Sequence, residues 1–131
     1  LVAQELYASS IGVLVLGGLL RREFPSLYGP VTESNLMDLH VDIGFVGCDG
    51  ADSATGFYTA DVHLSNLERQ MVEAADKRVV VTESAKFARR AFVRYAGVEE
   101  LHLLVTDPAL SPEDHSRLEE RGLKILYTDG E

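Results

Sequence analysis

Short apolar runs alternate with helical patterns along most of this chain, and the alternation is typical of strands joined by crossover helices. The runs are mostly apolar from end to end, which indicates strands that are buried on both faces of a parallel sheet. The sequence therefore predicts an α/β fold with a mostly parallel open sheet and helices on both faces. The predicted strands are Ile11 to Leu16, Ile43 to Gly47, Val79 to Thr82, Leu101 to Thr106 and Lys124 to Tyr127.

Helical segments are predicted between these strands. Apolar residues recur at helical spacing from Val62 to Asp76. A later helix is predicted with Ser111 as its N-cap and Gly122 closing its end. A shorter helix is predicted around Glu33 to Leu39, whereas Ser84 to Gly97 is left open as loop, helix or both.

Length and composition fit one globular domain, which we expect to span residues 1–131. No apolar run approaches the roughly 20 residues of a membrane-spanning helix, and no signal peptide or second cysteine is present, so we expect a cytoplasmic protein without a membrane partner. The 21 acidic and 12 basic residues give a formal charge of −9, which repels the phosphates of nucleic acid. We therefore expect no direct DNA contact from this chain.

The first residues predict an amphipathic helix that is already under way at Leu1, with Val2, Leu6 and Tyr7 on one face. The chain also lacks an initiator methionine. We therefore expect a fragment from which an N-terminal part is absent.

Polar or glycine-rich residues follow four of the predicted strands. In open α/β sheets, ligands bind outside the carboxyl ends of the strands, where loops and helix N-termini converge. The sequence therefore predicts a binding site at this edge of the sheet. The segments concerned are Gly17 and Gly18, Cys48 to Asp52, Glu83 to Lys86, and Asp107.

Several of these side chains have two interpretations. Asp49 and Asp52 suit sugar hydroxyls or a general base, but either also suits the cap of a turn. Lys86 suits a phosphate as a point charge, although most lysines are surface groups. Arg21 and Arg22 suit a phosphate or carboxylate, or else the surface or a subunit contact.

Metal and cofactor chemistry find no support in the sequence. The four histidines show no pair at metal-ligand spacing, and Cys48 has no second sulfur to join. Nothing in the sequence supplies a base for Cys48 as a nucleophile, so a buried structural cysteine is the expected role. We predict no catalytic residue, no metal and no cofactor.

Five segments in order resemble the C-terminal sensor domain of DeoR-family transcriptional repressors. They are LGGLLRREFPSLYGP, DIGFVGCDGAD, GFYTAD, VVVTESAKFARRAF and LVTD, and they span about Leu14 to Asp107. The resemblance implies a Rossmann-like fold similar to that of ribose-5-phosphate isomerase A and the acyl-CoA transferases. It also implies that the first part of the sensor domain, with a Gly-Thr-rich phosphate loop, is absent here.

The same resemblance implies a function in sugar metabolism. A phosphorylated sugar is the implied effector, and operator DNA is the implied partner through a winged helix-turn-helix domain absent from this chain. Homo-oligomers, dimers or tetramers, are implied as well. Residue by residue, with Asp52 added from its place in the loop, the effector-binding candidates are Gly18, Arg22, Gly47, Asp49, Gly50, Asp52, Gly56, Thr59, Asp61 and Lys86.

Two departures from the family pattern leave room for a different effector: Glu83 stands where an aspartate is usual, and Leu64 and Ser65 replace a common Glu-Ala pair. The DGAD loop also resembles the acidic loop of ribose-5-phosphate isomerase A. The Lys-Gly-Gly-Gly run of that enzyme is absent here, which disfavours isomerase chemistry. A sugar-phosphate isomerase-like enzyme and an oligomerisation module with a non-functional pocket are the alternatives.

Overall fold

A computed structural model describes residues 2–22 and 26–128 of the chain. The strands are β1 Leu19–Leu20, β2 Leu27–Tyr28, β3 Val41–Val46, β4 Gly50–Asp52, β5 Gly56–Thr59, β6 Ala75–Val81, β7 Val93–Ala96, β8 Leu103–Thr106 and β9 Lys124–Tyr127. The α-helices are α1 Val2–Tyr7, α2 Pro30–Met37, α3 Val62–Glu73 and α4 Pro112–Glu120. Short 3-10 helices cover Ser84–Ala88 and Val98–Glu100.

The principal sheet is parallel and is flanked by helices, which confirms the predicted α/β class. Its strands lie in the order β3, β6, β8, β9. Helix α3 precedes β6 in the chain and packs on β3 and β6, and α4 precedes β9 and packs on it. The carboxyl ends of all four strands therefore lie at one edge, which is where the sequence predicts the site.

A second, antiparallel sheet is formed by β4, β5 and β7, and the sequence analysis did not predict it. Strands β4 and β5 form a hairpin whose turn is closed by Asp52, because Oδ1 of Asp52 accepts hydrogen bonds from the Ala54 and Thr55 N–H groups. Strand β7 supplies part of the segment that was left open. These strands are too short for an apolar pattern to identify them.

The predicted strand Ile11 to Leu16 is wrong. The structure has no regular secondary structure from Ile11 to Leu16, and the nearest strand is β1. Leu14 is 77% exposed and Val15 is 59% exposed. A strand exists only through its ladder of hydrogen bonds, and in the described residues no neighbouring strand pairs with this run.

The other elements follow the sequence closely. Strands β3, β6 and β8 differ from prediction only at their ends, and β9 matches its prediction. Helix α3 begins at Val62 as predicted but ends at Glu73, because the next residues are taken into β6. Helix α2 begins earlier than expected, at Pro30. Helix α1 forms, although none of its residues is buried, and Leu1 lies outside the described residues. No helix among these residues is long and apolar enough to cross a membrane.

Both sheets share one hydrophobic core. Phe57 of β5, Val80 of β6 and Leu104 of β8 are each fully buried in a single cluster. The ring of Phe87, from the 3-10 helix after β6, packs edge-on against Phe57 with centroids 6.1 Å apart. Packing thereby ties the antiparallel sheet and this 3-10 helix to the parallel sheet.

Candidate functional site

A cavity of about 410 Å³ opens at the carboxyl ends of the parallel strands. Every strand of the parallel sheet contributes to its wall through its last residues or the loop that follows. We call it the lysine cavity, because Lys86 is its basic residue. Its lining residues are Gly47, Cys48, Val81, Thr82, Glu83, Lys86, Val105, Thr106, Asp107 and Thr128.

Lys86 is placed by the 3-10 helix that follows β6. Asp107 anchors this helix, since its carboxylate accepts hydrogen bonds from the Ser84 N–H at 2.6 Å and from the Ser84 hydroxyl at 2.7 Å. These bonds lower the pKa of Asp107 to about 2. The Lys86 side chain is half-buried and forms no ion pair with any described residue. An ammonium group is thus held at the cavity without a protein counter-charge in contact.

Two threonine hydroxyls add polar surface to the lysine cavity. Oγ1 of Thr106 is buried and has no hydrogen-bond partner among the described residues, although a buried hydroxyl is normally paired. Oγ1 of Thr82 accepts a hydrogen bond from Sγ of Cys48 at 3.2 Å. Neither threonine was predicted as a site residue, although Thr82 directly follows the apolar strand β6 and Thr106 is the last residue of the apolar strand β8.

A second cavity, of about 480 Å³, adjoins the first through Gly47 and Cys48, which line both. We call it the acidic cavity, because carboxyl groups form much of its polar wall. Helix α3 provides one side of it, and the residues after β1 and β3 provide the others. Its lining residues are Arg21, Ser26, Gly47, Cys48, Asp49, Ala60, Asp61, Leu64 and Glu68.

The junction between the cavities is held in place by Tyr95. Its hydroxyl donates a 2.6 Å hydrogen bond to the Gly47 carbonyl, and burial raises the pKa of Tyr95. Burial also raises the pKa of the Cys48 thiol, which is half-buried beside Thr82. A thiol with a raised pKa is a poor nucleophile, in agreement with the expected structural role.

Asp49 is oriented by two donors. Its Oδ2 accepts a hydrogen bond from the Ala60 N–H at 2.8 Å and one from the hydroxyl of Thr59 at 3.2 Å. Thr59 is fully buried, so its contribution to the site is to hold Asp49. No described residue donates to Oδ1 of Asp49, which leaves this oxygen as an acceptor for a ligand hydroxyl.

Asp61 is the N-cap of helix α3 and directly precedes its first residue. Its Oδ1 accepts the His63 N–H at 2.8 Å as the N-cap, and its Oδ2 lies 3.7 Å from the guanidinium of Arg21. The two acidic residues are therefore oriented by local structure, Asp49 from the strand end and Asp61 from the helix cap.

Glu68 is the functional candidate that sequence analysis missed. It lines the acidic cavity, and its Oε2 is buried without a partner among the described residues. Burial, with the charges of Asp49 and Asp61, raises the pKa of Glu68 to about 7. Its spacing of seven residues from Asp61 was a possible signal, since two helical turns place both residues on one face.

A known protein family matches most of the chain. The model of the DeoR C-terminal sensor domain matches residues 1–108. This chain belongs to the DeoR family. The resemblance read from its motifs is thereby confirmed, while a likeness to ribose-5-phosphate isomerase A stays a prediction.

The relatives of this sensor domain are transcriptional regulators. It is 33% identical over 125 residues to the HTH-type transcriptional regulator GlpR of Haloferax volcanii, covering 95% of this chain and 49% of that protein. It is 30% identical over 121 residues to the putative aga operon transcriptional repressor of Escherichia coli O157:H7, covering 92% and 45%. It is 29% identical over 119 residues to the HTH-type transcriptional repressor GlcR of Bacillus subtilis, covering 91% and 46%. The chain thus spans about half the length of these relatives.

Five of the effector-binding candidates in the sensor domain lie at the two cavities or hold a residue that does. Gly47, Asp49, Asp61 and Lys86 line them, and Thr59 supports Asp49. The roles of these residues in binding stay predictions.

The other candidates lie apart from both cavities. Gly18 packs against Thr32 of α2 with a φ of 152°, and Arg22 is exposed. A Cβ at Gly50 would lie 2.5 Å from the Arg89 carbonyl oxygen, so a close backbone approach explains that glycine.

Asp52 and Gly56 belong to the β-hairpin. Asp52 caps its turn and lies 3.0 Å from Arg90, and this arrangement lowers the pKa of Asp52. The turn-capping interpretation of Asp52 is confirmed. Gly56 begins β5 beside the Ala96 carbonyl.

The two cavities adjoin at Gly47 and Cys48 and together make a groove, whose lysine end also carries the carboxyl groups of Glu83 and Asp107. Lys86 supplies positive charge in the lysine cavity, and Asp49 and Asp61 supply carboxylate oxygens in the acidic cavity. Such a groove suits a ligand with an anionic group at one end and hydroxyl groups at the other. No group of three or more histidine, cysteine or acidic residues suited to a metal occurs in residues 2–22 and 26–128.

Proposed function

We propose that the groove binds a phosphorylated sugar as the effector of a transcriptional regulator. The observation that carries the proposal is the meeting of Lys86 and Asp49 at adjoining cavities on the carboxyl edge of the parallel sheet. The Lys86 ammonium contacts the phosphate, and Oδ1 of Asp49 accepts from a sugar hydroxyl. Two relatives are named as transcriptional repressors, the putative repressor of the aga operon and GlcR, and they support a role in gene control.

Effector binding acts on DNA through another part of the regulator. The acidic charge of −9 disfavours DNA contact by this chain, and the relatives are about twice its length and carry HTH-type names. A coupling of roughly 1–3 kcal/mol between effector and DNA sites is enough to change operator occupancy. We propose that the intact protein works as a homo-oligomer, a dimer or tetramer, on operator DNA.

The test is a thermal-shift screen of the intact protein against triose, pentose and hexose phosphates. We expect at least one to raise the melting temperature, and its unphosphorylated sugar to have no effect. Lys86→Ala should lower the affinity of the protein for that compound by about 10-fold to 100-fold, as expected for the loss of a charge-assisted hydrogen bond.

Lys77→Ala is the matched control. Lys77 is exposed on β6, the strand that precedes the 3-10 helix of Lys86, but it lies near the opposite edge of the sheet. Equal loss of affinity in both variants would refute the phosphate assignment. No stabilisation by any sugar phosphate would favour an oligomerisation module with a non-functional pocket.

We propose no chemical step for the bound sugar. Asp49 is held as an acceptor by Thr59 and Ala60, and the lysine that isomerase chemistry pairs with such a loop is absent from the sequence. Incubation of the intact protein with each stabilising sugar phosphate should leave the compound unchanged by NMR. Turnover that Asp49→Ala abolishes would instead establish an enzyme.

A further inference from the structure

Glu68 and Asp49 lie on either side of a single hydroxyl group. The Thr59 hydroxyl donates to Oδ2 of Asp49 at 3.2 Å, and hydrogen bonding from the same hydroxyl lowers the pKa of Glu68. A threonine hydroxyl has one hydrogen to donate, so it cannot donate to both carboxylates at once. One of the two acids must carry its own proton if all the contacts are to be hydrogen bonds.

The surroundings show which acid that is. Asp49 is exposed and receives a second donor, the Ala60 N–H, which suits a carboxylate. Oε2 of Glu68 is buried and receives no donor from the described residues. A buried carboxylate oxygen without a donor is costly, whereas a protonated carboxyl group needs fewer donors. The geometry therefore favours a neutral Glu68 that donates to Thr59, while Thr59 donates to Asp49.

We propose that Glu68 is a positioning residue of the effector site, which in its protonated form holds Asp49 in place through the Thr59 hydroxyl. The inference rests on the proposed sugar-phosphate site, because Asp49 matters there as the acceptor of a sugar hydroxyl. Loss of the proton from Glu68 draws the Thr59 hydrogen away from Asp49 and adds a negative charge to the cavity. An anionic effector then binds less tightly.

The other charged groups around Glu68 either raise its pKa, as burial does, or lower it by less than burial raises it. Asp49, after β3, and Asp61, at the start of α3, both favour the neutral form, and Arg21, after β1, favours the ionised form. Within residues 2–22 and 26–128, further titratable groups that interact with Glu68 are Cys48 and Tyr95, whose own pKa values are raised by burial. Burial outweighs Arg21, so the pKa of Glu68 is about 7. Protonation thus changes within the physiological range.

The first experiment needs no effector. The carboxyl carbon of Glu68 is followed by ¹³C NMR in the intact protein as the pH is raised, and we expect a midpoint near 7. Asp49→Asn should lower that midpoint, because it removes a negative charge. Thr59→Val should also shift the midpoint, because it removes the hydroxyl that accepts from neutral Glu68 and donates to the ionised form.

Asp52→Asn is the control for this titration. Asp52 lies in the same loop as Asp49 but is paired with Arg90, so its loss should leave the Glu68 midpoint unchanged. A Glu68 midpoint near its ordinary value of 4.5 would overturn the proposal. A Glu68 midpoint that stays the same in both Asp49→Asn and Thr59→Val would overturn the proposal as well.

The second experiment measures sugar-phosphate affinity near pH 6 and near pH 8 for the wild type and for Glu68→Gln. Glutamine is neutral at every pH and can still donate to Thr59, so it mimics the protonated acid. We expect the ratio of variant to wild-type affinity to rise about fivefold between the two pH values, which corresponds to a rise of one unit in the pKa of Glu68 on binding. The phosphate's own ionisation cancels in this ratio.

The outcomes separate the two proposals. If no sugar phosphate binds the wild type at either pH, the proposed function fails, and the NMR titration still decides whether Glu68 acts on Asp49. If sugar phosphates bind and the affinity ratio does not change with pH, the role of Glu68 is refuted while the effector site stands.

Discussion

Glu68 makes the stability of the fold depend on pH. Its pKa rises from 4.5 to about 7, mainly through burial in the acidic cavity, so ionisation is less favourable in the folded chain than in the unfolded chain. The contribution of Glu68 to the free energy of unfolding is therefore fully present below about pH 4.5, and it is lost as the pH rises through about 7. This is the opposite of the usual behaviour of a salt-bridged carboxylate.

Glu68→Gln should remove that loss. At about pH 8 we expect the variant to be more stable than the wild type by about 2 kcal/mol, which is less than the full pKa difference because water screens a partly exposed group. At about pH 4 the two should unfold alike. Urea unfolding at several pH values measures the difference, and Glu120→Gln, at an exposed position of α4, is the control. A constant difference across pH would contradict the assignment.

Strand β3 has an unusual outer edge. It is the terminal strand of the parallel sheet, and no described strand pairs with that edge. Phe45 is 61% exposed and Ile43 is 48% exposed, although parallel strands are normally covered. An unpaired apolar edge is a template for association with another chain.

Ile43→Lys should therefore reduce self-association of the 131-residue chain. A charge on the edge disfavours pairing with a second strand, while the buried ladder with β6 is kept. Analytical ultracentrifugation should show a shift toward monomer, and dye binding to apolar surface should fall. Met37→Lys changes a more exposed apolar residue at the end of α2 and should have little effect. Equal shifts in both variants would show that the β3 edge is not special.

The molecule as a whole is held together across its two larger sheets. Phe57 belongs to the antiparallel sheet, yet it is fully buried in one cluster with Val80 and Leu104 of the parallel sheet. The Phe87 ring against it belongs to the 3-10 helix that carries Lys86. The core therefore also supports the lysine end of the groove.

Phe57→Ala should weaken both sheets together. We expect a loss of about 3–5 kcal/mol, typical of a buried phenylalanine, in a single cooperative unfolding transition. Hydrogen exchange should then speed up in β5 and in β6 to a similar degree. Phe92→Ala is the control, since Phe92 is 77% exposed. Separate transitions for the two sheets would contradict a shared core.

The sequence by itself determined the parallel sheet and the placement of two candidate site residues. Apolar runs specified β3, β6, β8 and β9 as strands, although the burial expected of such runs is found mainly in the inner strands β6 and β8. Ser111 specified the start of α4, because a cap acts on the adjacent backbone. Asp49 and Lys86 were found because the residues after parallel strands meet at one edge.

Only the tertiary structure decided the remaining features. Ile11 to Leu16 has the composition of a strand but lacks a described partner, and no local pattern encodes that lack. The sheet of β4, β5 and β7 depends on pairing between segments far apart in the chain. Glu68 became a candidate through burial beside Thr59 and two other acids. Pairing, burial and the pKa of a side chain depend on neighbours distant in sequence, so they are fixed only when the chain has folded.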